Sequence, residues 1–224
     1  MKLGNLIDSA RRVLVSDFDG TMTRHDFFEL ARAELVPPGG RDYWAEHQAG
    51  RLTNFEALAG IFASIRGDES AVMEVARRCE LDPRLAEGLA RLRAAGWEVV
   101  VVSAGCRWYI DRLLAERGIE LGVIANPGEL LPGGGLVMRQ PTGAPYHAVA
   151  TGVDKAFVVA TLQAAGIDVA FAGDGRPDRK AAGLVAAARR YARRDLAAEL
   201  SADGESFVPF ERWYQVVEHL LHGA

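Results

Sequence analysis

Cysteine is almost missing from this chain of 224 residues: Cys79 and Cys106 are the only two. They make neither a disulfide framework nor a cysteine-ligated zinc cluster, so a disulfide-stapled secreted module is excluded. Long apolar runs are missing too. None approaches the roughly 20 residues needed to cross a bilayer as a helix. The first residues, Met1-Lys2-Leu3-Gly4-Asn5, lack the apolar core of a signal peptide, and a cytoplasmic protein is expected. There is no basic surplus. A net charge of −4 gives neither nucleic acid nor an anionic membrane a reason to bind. Lysine is scarce, with only Lys2, Lys155 and Lys180, so any lysine in a polar loop draws notice. What is present, 49% hydrophobic and 25% charged residues, suits one globular α/β domain with a modest insertion.

The stretch Val13-Leu14-Val15-Ser16-Asp17-Phe18-Asp19-Gly20-Thr21 organises the rest. A β-branched apolar run reads as a buried strand, and Gly20 supplies the backbone freedom for a sharp turn after it. Side chains alternate along an extended chain, so Asp17 and Asp19 project together while Phe18 turns into the core. Open α/β sheets place ligands at the carboxyl ends of their strands, where these two acids fall.

Residues 23–80 read as helices without a strand. Asp26 to Leu35 has helical apolar spacing and stops at Pro37-Pro38-Gly39-Gly40, Thr53-Asn54-Phe55-Glu56 is a capping box, and Asp68 to Cys79 is a further short helix. The expected division is therefore a core of residues 1–22 and 81–224 with a helical cap of residues 23–80. In the core, a helix from Asp82-Pro83 precedes an apolar strand from Trp97 to Val102, which runs into Ser103-Ala104-Gly105. A helix from Arg107, a strand near Gly122 to Ala125 and a hairpin about Gly133-Gly134-Gly135 follow. A helix from Val153 to Ala165 and a strand from Asp168 to Ala172 then lead to Gly173-Asp174-Gly175. Arg189 to Ala192 reads as a short edge strand, with Arg189, Arg190, Arg193 and Arg194 as a solvated surface. Phe210 to Leu221 is a last amphipathic helix. Alternating strands and helices imply a parallel, doubly wound sheet.

Four acids, Asp17, Asp19, Asp174 and Asp178, converge if these strands share a rim. Bare carboxylates about 4 Å apart repel by roughly 4 kcal/mol at an effective dielectric near 20, so they require a cation. With oxygen donors only, Mg²⁺ is the expected ion. Ser103 with the amides of Ala104 and Gly105 offers donors to an anion; taken alone, the serine reads first as a capping residue. Lys155 is either a point charge for a phosphoryl oxygen or a surface lysine at a helix start.

The ordered set Asp17-x-Asp19-Gly20-Thr21, Ser103, Lys155 and Gly173-Asp174-Gly175-x-x-Asp178 resembles the four motifs of the haloacid dehalogenase-like (HAD) phosphatases, over nearly the whole chain. The resemblance implies a Rossmann-like core and hydrolysis of a small phosphorylated metabolite. Asp17 would be the nucleophile, Asp19 the acid and base, and Ser103, Ala104, Gly105 and Lys155 the phosphate site. The metal would be held by Asp17, Asp174, the backbone carbonyl of Asp19 and, directly or through water, Asp178. A phosphotransferase or phosphomutase would use the same residues. The intact acids speak against a non-catalytic binding module, and Asp19 has no purpose in a dehalogenase.

The insertion just after the first motif resembles the phosphoserine-phosphatase-like subgroup. Phosphoserine phosphatases carry a cap glutamate and a cap arginine where this chain has Asp26 and, counted from Phe55, Phe62. An apolar Phe62 disfavours a free amino-acid head, although Arg51 or Arg66 can substitute. The methionine-salvage phosphatases, which act on 2-hydroxy-3-keto-5-methylthiopentenyl-1-phosphate, look closer. Asp-Phe-Asp-Gly-Thr-x-Thr, Trp108-Tyr109 after the serine motif and Tyr191-Ala192-Arg193 are similar to theirs; the cysteine-rich segment of some members is replaced here by Pro141 to Thr151. Asp26, Phe55, Phe62 and Trp108 are the expected specificity residues. With Trp44 and Tyr109, the aromatics either wall an apolar pocket or pack the core.

Overall fold

The computed structural model describes Gly4 and residues 10–222, so the Met1–Asn5 reading falls, Gly4 apart, outside the described residues. In chain order the strands are β1 (Arg12–Ser16), β2 (Trp97–Cys106), β3 (Gly122–Asn126), a hairpin of β4 (Gly128–Leu130) and β5 (Leu136–Met138), a two-residue pair β6 (His147–Ala148) and β7 (Gly152–Val153), then β8 (Asp168–Gly173), β9 (Arg190–Ala192) and β10 (Val208–Pro209). Among the described residues, six of them form one parallel sheet in the order β10-β9-β8-β1-β2-β3. The first strand of the chain is therefore central, flanked by β2 and β8.

That position explains its composition. A parallel strand is covered on both faces, so its sequence is a continuous apolar run. Leu14, Val99, Val101, Ala170 and Ala172 point into one apolar cluster, and Val13, Val15, Val100, Val102, Val169 and Phe171 into the other. Helices α5 (Leu85–Ala94), α6 (Arg107–Glu116) and α10 (Trp213–His222) cover the first face. Helices α7 (Lys155–Ala164), α8 (Arg179–Gly183) and α9 (Arg194–Ala202) cover the second.

Four helices lie between β1 and α5: α1 (Phe27–Glu34), α2 (Tyr43–Gln48), α3 (Asn54–Ala63) and α4 (Glu69–Arg77). The capping box at α3 forms, with the Thr53 hydroxyl accepting from the Glu56 amide at 3.2 Å and the Glu56 carboxylate from the Thr53 amide at 2.8 Å. Phe27 and Phe62 join the same apolar cluster as Phe18 and Tyr109 of the sheet side. Thr23 bridges Leu81 where the chain leaves and re-enters the core, and the amide of Gly135 in the hairpin turn donates to Ile65 at 2.8 Å.

Two expectations need correction. β9 is not the edge: Val208 and Pro209 pair outside it. A two-residue strand with a proline carries little apolar signal, and proline is tolerated at an edge because no ladder donor is needed there. The arginines around β9 are not a solvated face either. Arg190 is buried, donating to the carbonyls of Ala182 (2.8 Å) and Val185 (3.1 Å) and to Glu205 (2.5 Å). Arg194 enters the site described next.

Candidate active site

Parallel strands put their carboxyl ends on one rim. In the register Ser16 lies beside Val101 of β2 and Ala172 of β8, so Asp17, Ser103 and Asp174 emerge together. Along β2, Val102 pairs with Ile124 but Cys106 with Asn126: four steps on one strand against two on the other. The surplus is a bulge, a usual device beside active sites, and it contains Ser103-Ala104-Gly105. Buried Asn126 holds it, its amide donating to Ala104 (2.7 Å) and to Thr151 (3.0 Å) in the loop leading to Lys155. Ser103 is buried, and its Oγ accepts the Gly105 amide at 2.9 Å. That amide is thus turned to the serine, which leaves the hydroxyl hydrogen as the donor Ser103 can offer a ligand.

Lys155 is not a surface lysine. It is 4% exposed, and its Nζ lies 2.7 Å from Asp17 Oδ1 and 2.6 Å from Asp178 Oδ1. Burial alone would pull its pKa down; the two carboxylates outweigh that and hold the ammonium above its usual range. Asp178, fully buried, also accepts the amides of Asp174 (3.1 Å) and Gly175 (3.0 Å), fixing the turn after β8. Thr21 donates to Asp174 at 3.1 Å. Gly20 has φ +68°, and a β-carbon there would sit 2.7 Å from the Asp174 carboxylate carbon, so glycine is required both by conformation and by close approach.

Oxygens of Asp17, Asp174 and Asp178 lie within 4.8 Å of one another. Burial, then repulsion from Asp178, pushes the Asp17 carboxyl up to about 8. Burial, then Asp17 and Asp26, pushes Asp174 well above the ordinary carboxylate range. A buried all-oxygen cluster that strains against its own charge fits a hard divalent cation. The Asp19 carboxylate lies apart from this cluster. Its Oδ1 accepts the Phe27 amide at 3.2 Å and its Oδ2 accepts the Tyr109 hydroxyl. Burial, then the charge of Asp26, pushes it up to about 7.

Asp17, Asp19, Ser103, Lys155 and Asp174 line a cavity of about 670 Å³, in the range of small-molecule sites, while Asp178 stays behind them, fully buried. Of the expected specificity residues, Asp26 and Phe62 line it, and so do Trp44 and Tyr109. Phe55 and Trp108 do not. Phe55 ties α3 to the loop before Lys155 through its amide, which donates to Ala150 at 2.9 Å, and Trp108 is buried beneath the Arg112 guanidinium, 4.0 Å from its ring centre. Arg194 is the charged cavity residue that sequence reasoning missed. Its guanidinium lies 2.5 Å from Asp26, 3.4 Å from Asp174 and 3.8 Å from Glu29, and its φ of +47° is unusual for a side chain of that size. The signal was available: Arg193 and Arg194 follow a parallel strand, on the same rim as Asp174.

Comparisons with known proteins agree with this geometry. A curated 2-hydroxy-3-keto-5-methylthiopentenyl-1-phosphate phosphatase of Microcystis aeruginosa (strain NIES-843) is 25% identical, covering 94% of this chain and 98% of its own. One of the same name from Exiguobacterium sibiricum is 23% identical, covering 92% and 95%. Among solved structures, a HAD family hydrolase of Salmonella enterica serovar Typhi superposes with a TM-score of 0.69 at 18% identity, over 95% of this chain and 72% of that one. A substrate-bound phosphoserine phosphatase superposes with a TM-score of 0.65 at 15% identity, over 93% and 98%. Residues 14–183 match the model of the haloacid dehalogenase-like hydrolases, and the chain belongs to that family of enzymes.

Proposed function

We propose that the protein is a Mg²⁺-dependent phosphomonoesterase working through an aspartyl-phosphate on Asp17. The observation that carries this reading is the buried Asp17–Lys155–Asp178 contact set, with Asp174 beside it, from which Asp17, Lys155 and Asp174 open onto a cavity that also holds apolar side chains. Asp17, Asp174 and Asp178 would hold Mg²⁺, which when bound offsets their mutual repulsion and draws charge from the phosphoryl oxygens. Lys155 and the Ser103 hydroxyl bind the phosphoryl group and neutralise its charge as it transfers. Asp17 attacks phosphorus, and the Asp17–P bond forms as the ester P–O bond breaks. Asp19, raised to about 7, holds the proton that the leaving oxygen takes, then recovers one from the water that cleaves the aspartyl-phosphate.

For the substrate, we infer a methionine-salvage phosphate of the kind named for the curated relatives. Trp44, Phe28, Leu58 and Phe62 make an apolar wall suited to a thioether tail. One observation supports phosphoserine as a second reading: Arg194 beside Asp26 supplies a cation and an anion that can grip an amino-acid head. A panel of phosphorylated metabolites, assayed for phosphate release with and without Mg²⁺, separates the two. The first reading expects the 2-hydroxy-3-keto-5-methylthiopentenyl ester to exceed phosphoserine in kcat/KM by at least tenfold; phosphoserine as the sole good substrate reverses it. Transfer of the phosphoryl group to an added alcohol rather than to water would mark a phosphotransferase.

A further inference from the structure

Tyr109 has no part in the chemistry above, yet it is buried directly beside it. It is buried in the first turn of α6, at 1% exposure, and borders the cavity. Its ring is enclosed by aromatics: Phe27 with centroids 4.3 Å apart, Phe62 at 6.2 Å and Phe18 at 6.5 Å. A ring so enclosed has one position, and that position places its hydroxyl against Asp19 Oδ2, to which it donates. The same spot is closed from below by Gly105. A β-carbon there would collide with the Tyr109 hydroxyl and lie 2.8 Å from Asp19 Oδ2 and 3.1 Å from Ser103 Oγ. The tyrosine hydroxyl, the Asp19 carboxylate and the phosphate-side serine therefore crowd over one glycine.

A buried phenol needs a partner for its O–H, and a carboxyl with two equivalent oxygens needs something to tell them apart. The geometry points to Tyr109 as the positioning residue of the reaction's acid: it holds Asp19 Oδ2 as the accepting oxygen, so that Oδ1 carries the proton given to the departing oxygen. Oδ1 has only the longer contact, 3.2 Å from the Phe27 amide. The step balances with Asp19 alone as proton source: Oδ1–H breaks, the new O–H forms on the leaving alcohol, and its bonding pair leaves phosphorus as Asp17 joins it. Tyr109 keeps its own proton throughout. This inference rests on the reading of Asp19 as the acid.

The test compares phenyl phosphate and p-nitrophenyl phosphate on the Mg²⁺-loaded enzyme. The two share a ring, but phenolate leaves poorly and needs the proton, whereas nitrophenolate leaves well without it. Release of the phenol in the first turnover is measured, because later hydrolysis of the aspartyl-phosphate is common to both. Tyr109→Phe keeps the ring in its aromatic enclosure. It is expected to slow first-turnover release from phenyl phosphate by about tenfold, a fraction of the 10²–10⁴ attributed to general acids, and to leave p-nitrophenyl phosphate within about twofold. Asp19→Ala, run beside it, should show the same selectivity more strongly. If Asp19→Ala slows both esters alike, Asp19 is not the acid and the role of Tyr109 falls with it. If Asp19→Ala is selective but Tyr109→Phe is silent, or slows both esters equally, the hydroxyl only packs and the inference is overturned. Circular dichroism and thermal melting of Tyr109→Phe identify a variant that has lost its fold; for that case, first-turnover release by Tyr109→Met decides between the same outcomes.

Discussion

The sheet rim and the helical insertion solve different problems with different materials. At the rim, four charged side chains, Asp17, Lys155, Asp174 and Asp178, are buried nearly to the exclusion of solvent; short ionic contacts tie Lys155 to Asp17 and Asp178, and Thr21 and Arg194 hold Asp174. The insertion lines the cavity with Phe28, Trp44, Leu58 and Phe62 interleaved with the polar His47, Gln48, Thr53 and Asn54, and with Asp26 and Glu29 as its acids there. The rim is electrostatically tense and position-critical. The insertion mixes apolar with polar groups and is shape-critical. Chemistry common to a family is placed where the fold fixes geometry, and the choice of substrate where side chains can change without disturbing the sheet.

Three substitutions break or sharpen that contrast. Lys155→Met should have the largest effect. Removing one partner of a buried ionic set leaves uncompensated charge, costing about 3–5 kcal/mol of stability, and removes the phosphate's cation. Urea titration should report the loss of stability, and kcat/KM should fall by about a thousandfold or more, in keeping with about 4 kcal/mol of lost transition-state stabilisation.

Asp174→Asn should act in the opposite direction on stability while also ending turnover. The folded-state pKa values of Asp17 and Asp174 lie above the unfolded value of 3.8, so ionising them costs folding free energy. That cost is nil below about pH 4 and grows as pH rises toward 8. The metal-free variant should therefore melt higher than the parent by about 4–8 °C at pH 8, corresponding to about 2 kcal/mol, and equally at pH 4. Added Mg²⁺ should raise the melting temperature of the parent and not of the variant.

Asp26→Asn, on the insertion side, should be the mildest. Asp26 is the second cause, after burial, of the raised Asp19 carboxyl near 7. Asp19 must be protonated to act as acid, so activity on a poor leaving group declines as pH rises through that value. Removing the repelling charge moves this alkaline limb to lower pH. A pH–rate profile with phenyl phosphate checks the direction.

Much of this was legible beforehand. The apolar run before Asp17, the capping box at Thr53 and the glycines after each strand are local signals, and the elements they announce are present. The convergence of Asp17, Ser103 and Asp174 followed from one rule about parallel strands, whereas Lys155, at the start of α7 after the antiparallel β6–β7 pair, was expected there only from the family resemblance. Arg194 obeys the same rule but was hidden, because a three-residue strand embedded in arginines looks like surface. Phe55 and Trp108 went the other way: an aromatic near a motif gives no sign of which way its ring turns, and here both serve packing. Tyr109 shows the limit most plainly, since its value lies in one oxygen's contact with Asp19, set by three rings from distant parts of the chain.

The claim under all of this is that Asp17 becomes covalently phosphorylated. Rapid acid quenching of the working enzyme, followed by peptide mass spectrometry, measures that directly. The account predicts a phosphate on the peptide containing Asp17, absent in Asp17→Asn. Turnover at full rate with that peptide unmodified at every quench time, and undiminished in Asp17→Asn, would contradict it.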